Sequence, residues 1–230
     1  MNIKHALLGS IILLASQAAS ASYLSPYLSF RGGLSTEWVY NVTFQNPRRP
    51  NLVYENNTST PALFALAIGS RLNTWPFRFE LQGAGNSGGH FSRDYFFPLF
   101  FSVVGIQKLK VQSYSLLFRS YYDFPLQWIT PYISLGVGTA WNQMSATQIA
   151  PQLPGWLYNF VGTTKNNFAW SAGIGINKVI RNNWIFELGL NYVALGCFDT
   201  GVLPKTGDEH IFGKIHSLDW FAGLSYLWNA

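Results

Sequence analysis

The chain has 230 residues, of which 48% are hydrophobic, 17% aromatic and only 11% charged, and its formal net charge is +5. A soluble domain typically has about 25% charged residues, so this composition favours a protein with a large surface that does not meet water. The sequence has no internal run of about 18 apolar residues, which excludes a transmembrane helix as the explanation. The basic residues are scattered without a dense Lys/Arg run, so no nucleic acid is expected as a partner.

The first residues have the pattern of a secretory signal peptide. A basic start at residues 4–5, an apolar run over residues 6–15 and the small residues 19–21 follow one another in the order that export requires. This pattern predicts a signal peptide over residues 1–21, which is cleaved, and a mature domain over residues 22–230.

From residue 24 onward, large apolar side chains alternate with small or polar ones. Between Trp184 and Tyr192 the apolar residues occupy every second position, and the same period recurs in the residues that lead to Trp228. A period of two is typical of β-strands, because successive side chains point to opposite faces. Turn residues divide the chain into eight such segments, at about residues 24–34, 61–73, 77–84, 108–124, 129–144, 167–180, 184–195 and 214–228.

The connections between these segments are alternately long and short. Together with the scarcity of charge, this rhythm predicts an all-β protein, an eight-stranded antiparallel transmembrane β-barrel with four long extracellular loops and short periplasmic turns. A soluble lipocalin-like barrel, with its apolar face inward, is a minor alternative. The residues that we expect to face lipid are Phe64, Phe79, Phe118, Trp170, Trp184, Phe186, Leu190, Trp220, Leu224 and Trp228.

The opposite faces of the predicted strands carry charged residues and glycines. An eight-stranded barrel has an interior just wide enough for side chains, and Gly136 and Gly223 leave room there for longer neighbours. Unpaired ions in that space would be costly, so we expect an ion-pair network in the lumen. Its members are Arg31, Arg71, Arg78, Glu80, Arg119, Asp123, Glu187 and Asp219. The network predicts a structural plug, and the alternative is a gate that opens a narrow channel for small solutes.

Two segments resemble a known family. VQSYSLLFRSYYDFPLQWITPYISLGVGTAW, residues 111–141, and FAWSAGIGINKVIRNNWIFELGLNYV, residues 168–193, are similar to hairpins of the opacity-protein and OmpA-like eight-stranded outer-membrane barrels. The resemblance covers strands three to eight and implies a place in the outer membrane of a Gram-negative bacterium. It implies a structural, adhesive or envelope-interaction role carried by the extracellular loops, with a possible host or envelope partner. It also implies contact with outer-membrane lipid and lipopolysaccharide, and recognition of Trp228 in the C-terminal strand by the barrel-assembly machinery.

Several polar residues near the predicted loops allow an enzyme or a metal site as rival functions. They are His90, Asp94, Asp208, Glu209, His210, His216 and Ser217. A lipid A-modifying enzyme would need a serine beside its base, but neighbours such as His216 and Ser217 point to opposite faces of a strand. A metal would need the loops to converge. Solvated loop residues explain the same sequence, so we predict no catalytic residue, no metal and no cofactor.

The predicted loops also contain aromatic clusters and basic residues. Phe91 lies in the second loop and Phe160 in the third, and such clusters indicate a partner surface, a lipid contact or a self-association patch. The alternative is that these residues extend the strands or lie in the aromatic belt of a membrane protein. Lys110 and Lys214 are among the basic residues in or beside these loops. Two roles remain open for them, a contact with lipopolysaccharide phosphates and simple solvation.

Overall fold

The computed structural model describes residues 24–46, 49–54, 57–96, 104–149, 157–160, 162–181, 183–201 and 210–228. Nearly all of these residues lie in strands, and the protein is all-β. None of the described residues forms a helix long and apolar enough to cross a membrane. The signal peptide predicted over residues 1–21 lies outside the described residues, so its cleavage stays a prediction.

Twelve antiparallel strands are present among the described residues. They are β1 (Leu24–Asn46), β2 (Arg49–Tyr54), β3 (Asn57–Ser59), β4 (Ala62–Leu72), β5 (Phe77–Asn86), β6 (Gly89–Phe96), β7 (Val104–Asp123), β8 (Thr130–Ile149), β9 (Leu157–Asn159), β10 (Thr163–Arg181), β11 (Trp184–Asp199) and β12 (His210–Leu227). Eight of them form a closed ring in the order β1, β4, β5, β7, β8, β10, β11 and β12, and β12 pairs with β1 again. A closed ring leaves no strand edge without a hydrogen-bonding partner, as a membrane interior requires. The predicted eight-stranded barrel is confirmed.

The two ends of the barrel differ. Short turns join β4 to β5, β7 to β8 and β10 to β11 at one end, where Tyr27 of β1 also lies opposite Leu227 of β12. At the other end, β2 and β3 pair with β1, β6 pairs with β7, and β9 pairs with β8. The long connections therefore contain more strand than the sequence predicted. Beyond the membrane the outward face of a strand can be polar, so the outward apolar period ends while the backbone pairing continues.

Side chains alternate between the lumen and the exterior along each ring strand. On β7, Leu117 and Arg119 are buried in the lumen, whereas Leu116 and Phe118 are exposed on the outside. A one-residue change of register would exchange the two sets. The pairing with β5 and β8 therefore fixes which side chains fill the interior.

Two bulges change the alternation in the outer part of the barrel. The pairing of β1 with β12 shifts at Asn41, whose φ is 51°, and that of β11 with β12 shifts at Gly196, whose φ is 86°. Positive φ is rare for other residues but tolerated by Asn and Gly. In a regular strand Val39 and Val42 would lie on opposite faces, but the first bulge leaves both of them buried. After the second bulge Phe198 is buried. The bulges thus turn additional apolar side chains inward.

Candidate functional site

Arg31 on β1 lies at the centre of a group of charged side chains in the lumen. Its Nη1 and Nη2 donate hydrogen bonds to the two carboxylate oxygens of Glu80 on β5, at 2.6 and 2.9 Å. Its Nε donates to Glu187 on β11 at 2.8 Å. All three residues are buried, and neither β5 nor β11 is next to β1 in the ring. One guanidinium therefore connects opposite parts of the wall through charge-assisted hydrogen bonds, which are the strong class.

Tyrosine side chains fill the space around these ions. The hydroxyl of Tyr27 donates to Glu80 at 3.1 Å, and the hydroxyl of Tyr121 donates to the same carboxylate. The guanidinium carbon of Arg78 lies 4.3 Å from the ring centre of Tyr121 and 5.1 Å from that of Tyr132. These cation–π contacts stabilise the cation in a place that water does not reach.

Asp123 holds a second pair nearer the short turns. The Nε of Arg78 donates to Oδ1 of Asp123 at 3.1 Å. Nη2 of Arg71 is 3.9 Å from Oδ2 of Asp123, and the Arg71 side chain is 31% exposed. Because water screens a long and exposed pair, Arg71 contributes less to this group than Arg78 does.

Arg119 and Asp219 are in the lumen, but the structure does not bring either into an ion pair with a described residue. Asp219 accepts a hydrogen bond from Ser35 at 2.6 Å. The Nη atoms of Arg119 donate at 2.7 to 2.9 Å to Gln82, Ser134 and Asn191. Neutral amide and hydroxyl oxygens thus satisfy a charge for which the sequence predicted a carboxylate. Which oxygens reach Arg119 depends on the closure of the ring and not on spacing along the chain.

Glu37 is a buried carboxylate that the predicted network did not contain. The side-chain amide of Asn86 donates to one of its oxygens. The other oxygen has no hydrogen-bond partner within the described part of the chain. The predicted first strand ended at residue 34, so Glu37 fell in a loop. Continuing the period of two from Arg31 through Ser35 would have placed it in the lumen.

Apolar side chains fill the lumen on the side away from the short turns. This outer core consists of Val39, Val42, Phe91, Leu109, Val111, Leu117, Ala140, Met144, Ala146, Phe160, Ala169, Val193, Leu195, Phe198, Ile211 and Ile215. Phe91 and Phe160 come from the aromatic clusters of the predicted loops. Both are buried in the outer core, so for these two residues the predictions of a partner surface, a lipid contact or a membrane belt were wrong. Phe91 lies within β6, which agrees with the alternative that the aromatic residues of the second loop extend strands.

The exterior carries a band of exposed apolar side chains around the barrel. Of the ten residues predicted to face lipid, nine are exposed and Leu190 is half-buried between its register partners Ile174 and Trp220. Aromatic residues mark both edges of this apolar band. The rings of Trp184 and Tyr226 meet edge to face near the short turns, and rings around His216 lie at the other edge. Contact of these residues with lipid stays a prediction.

Within the described part of the chain, the residues considered for an enzyme or a metal site form no common site. His216 is half-buried on the exterior, whereas Ser217 is buried in the lumen, so the two face opposite sides of β12. No group of three His, Cys, Asp or Glu side chains that could hold a metal occurs among the described residues. Asp208 and Glu209 lie outside the described residues.

A closed eight-stranded ring with a charged lumen and an apolar exterior has a counterpart among known families. Residues 6–218 match the family model of the outer membrane protein beta-barrel domain. The chain belongs to this family. Membership confirms the resemblance to eight-stranded outer-membrane barrels and the predicted location in the bacterial outer membrane.

Two known proteins illustrate how far the similarity extends. Outer membrane protein PagN of Salmonella typhimurium (strain LT2) is 32% identical over 124 residues, which are 52% of this chain and 51% of PagN. The match thus spans about half the length of PagN. The crystal structure of OprG from Pseudomonas aeruginosa covers 90% of this chain and 98% of the OprG chain, with 11% identity and a TM-score of 0.51. At that identity the similarity to OprG shows the fold alone.

Proposed function

We propose that this barrel is a surface protein of the outer membrane with a structural, adhesive or envelope-interaction role, and that its lumen is plugged. The observation that supports the plug most is the position of Arg31. It binds Glu80 at 2.6 Å and Glu187 at 2.8 Å, on two different sides of the lumen. The side chains that make these contacts are at most 1% exposed. A solute would have to displace them in order to pass.

The energy of this contact favours a plug over a gate. Removing one partner of a buried ion pair costs about 3–5 kcal/mol, because the other charge stays buried without compensation. A spontaneous opening at Arg31 would therefore be populated in fewer than about one molecule in a hundred. A solute that passed Arg31 would still meet the packed side chains of the outer core.

The extracellular part is the proposed site of partner contacts. On β7, Tyr114 is the last exposed aromatic of the apolar band, and residues 104–113 continue the strand beyond it. At roughly 3.3 Å per residue this extension is on the order of 30 Å along the strand. Lys108 and Lys110 are exposed on its outer face. Because the outer core packs inside this extension, it forms a rigid support for the connections that reach the cell surface.

Lipid and the assembly machinery are the other proposed partners. The apolar band is proposed to contact the hydrocarbon of the membrane, with Phe118, Trp170 and Trp220 among its exposed residues. Trp228, exposed directly after β12, is the proposed recognition residue for the barrel-assembly machinery.

Planar-bilayer recording tests the closed lumen. The full-length protein, purified from outer membranes in detergent and folded by the criterion of heat-modifiable mobility, should give no steady openings. Steady openings of the folded protein would overturn the plug and favour the narrow channel.

Labelling of intact cells tests the orientation. Cys197 is exposed on the outer part of β11, so a membrane-impermeant maleimide should label it on whole cells. Cys197→Ser, which has no cysteine, is the control for nonspecific labelling. Lys178→Cys in that background places a thiol at the opposite edge of the apolar band, where label should appear only after lysis. The reverse result would invert the proposed orientation.

A further inference from the structure

A cluster of aromatic rings surrounds His216 on the outside of the barrel, at the outer edge of the apolar band. We propose that this cluster, together with Lys214 and an apolar groove below it, is a defined binding site for lipopolysaccharide on β1, β11 and β12. The phosphorylated sugar headgroup would lie on the cluster and an acyl chain in the groove. The site rests on the proposed function, in which this edge of the band faces the cell surface, and the aromatic cluster itself contains no lumen residue of the plug.

His216 is held in place through both of its ring nitrogens. The hydroxyl of Tyr40 lies at hydrogen-bonding distance from Nε2, and the hydroxyl of Tyr192 lies at hydrogen-bonding distance from Nδ1. A neutral imidazole has one N–H and one free nitrogen, so one tyrosine donates and the other accepts. The three side chains come from β12, β1 and β11, and together they form a polar patch fixed across neighbouring strands.

Two tryptophans extend this patch. The ring of Trp38 lies 6.0 Å from that of Tyr192 and 6.3 Å from that of His216. The ring of Trp170 lies 5.3 Å from that of Tyr192. Rings with an apolar body and a polar tip are suited to the headgroup level of a membrane. The cluster is thus placed where sugars and phosphates of the outer leaflet begin.

Lys214 supplies positive charge on the outward side of the cluster. It lies directly opposite Tyr40 in the β1 register and two residues from His216, so all three share the exterior face. Further along this face the carboxylate of Asp199 is paired with Lys165 at 3.3 Å. A lysine at this height is complementary to a phosphate, with which it forms a charge-assisted hydrogen bond.

An apolar groove lies on the membrane side of the cluster. It has a volume of about 780 Å³, and its lining includes Gly32, Trp220 and Ala222 and continues across Ile174 of β10 to Pro131 of β8. A Cβ placed on Gly32 would meet no atom within 4 Å. The groove is therefore open to the exterior at Gly32, and its depth results from the small residues between the larger ones. An acyl chain has the apolar chemistry that matches this lining.

The charge distribution favours this lipid over a second copy of the chain. A symmetric dimer formed through one and the same face would bring Lys214 of both copies close together, and like charges repel. A ligand with phosphate at one end and hydrocarbon at the other matches both the lysine and the groove.

Native mass spectrometry of the full-length protein in detergent tests the site. The probes are bisphosphorylated lipid A, monophosphorylated lipid A and phosphatidylethanolamine. The native protein should bind one bisphosphorylated lipid A with preference over the other two. Lys214→Gln should weaken this binding about fivefold, the effect of one basic residue near an anionic lipid surface. Gly32→Leu, which fills the groove without a clash at Cβ, should also weaken it.

Two matched variants control for charge and bulk. Lys178→Gln removes an exposed exterior lysine at the other edge of the apolar band, and Gly83→Leu fills an equally open exterior position outside the groove. Both should bind as the native protein does. If Gly32→Leu fails to fold, Ala222→Leu replaces it. Equal binding of all variants, equal binding of phosphatidylethanolamine, or a dimer mass in place of a lipid adduct would overturn the site.

Discussion

The inward positions of β1 carry Arg31 in the inner half of the barrel and Val39 in the outer half, and those of β11 carry Glu187 and Val193. The same two strands thus line a charged lumen at one level and an apolar core at the next. The surroundings explain the difference. In the membrane the apolar side chains face outward and polar residues are left to fill the interior. Beyond it the exterior meets water, and apolar residues turn inward as in a soluble barrel. The lipocalin-like pattern weighed as an alternative therefore describes the outer half only.

The two halves should respond differently to a lost side chain, and the largest effect is expected in the inner half. Arg31→Ala leaves Glu80 and Glu187 buried without their cation. The free energy of unfolding should fall by about 3–5 kcal/mol. Urea unfolding in lipid vesicles, followed by tryptophan fluorescence, measures this loss. Arg71→Ala is the control, because its pair is long and partly exposed, and it should cost less than about 1 kcal/mol. Equal losses would show that burial of the pair is not the cause.

Phe198→Ala tests the outer core. Phe198 is fully buried among apolar residues, so its removal should destabilise the protein by about 3 kcal/mol through lost burial and a cavity. Hydrogen exchange should accelerate in the outer parts of β1, β11 and β12 and stay unchanged around Arg31. Phe168→Ala, at a residue that is 71% exposed, should leave the exchange of the outer half unchanged. Uniform acceleration along the strands would mean that the halves unfold as one unit.

The bulge at Asn41 joins the two halves, and its backbone should tolerate few residues. Asn41→Val places a β-branched residue at a φ of 51° and should cost about 1–2 kcal/mol. Asn41→Gly should be neutral or slightly stabilising, because glycine adopts this φ without strain. The same urea titration measures both variants. A neutral Asn41→Val would show that the bulge does not need this conformation.

Glu37 lies between the two halves of the barrel, and its carboxyl group has no cation as a partner among the described residues. Glu37→Gln should raise the free energy of unfolding by about 1 kcal/mol, since it removes an ionisable carboxyl from a buried place without a cation and keeps an oxygen for Asn86. Glu187→Gln should lower it, because Arg31 would lose a charged partner. Losses in both variants would show that the charge of Glu37 is compensated in the folded protein.

The strands and their two faces followed from local chemistry. Arg31, Glu80 and Glu187 were predicted to point inward from the period of two, which any local window displays. The outer core was missed because beyond the membrane the apolar residues move from the outward to the inward face, and because the bulges at Asn41 and Gly196 shift the period of two. Phe91 and Phe160 were therefore assigned to loops, although both are buried in the outer core.

The sequence by itself determined that this chain has eight ring strands with one apolar and one polar face, because alternation depends only on neighbouring residues. Only the tertiary structure decided the partners. Glu80 lies 49 residues from Arg31 and Glu187 lies 156 residues from it, and ring closure brings both to one guanidinium. The same closure gave Arg119 neutral partners and placed Tyr40, Tyr192 and His216 together on the exterior. Contacts between distant strands depend on register and curvature, which no local stretch of sequence contains.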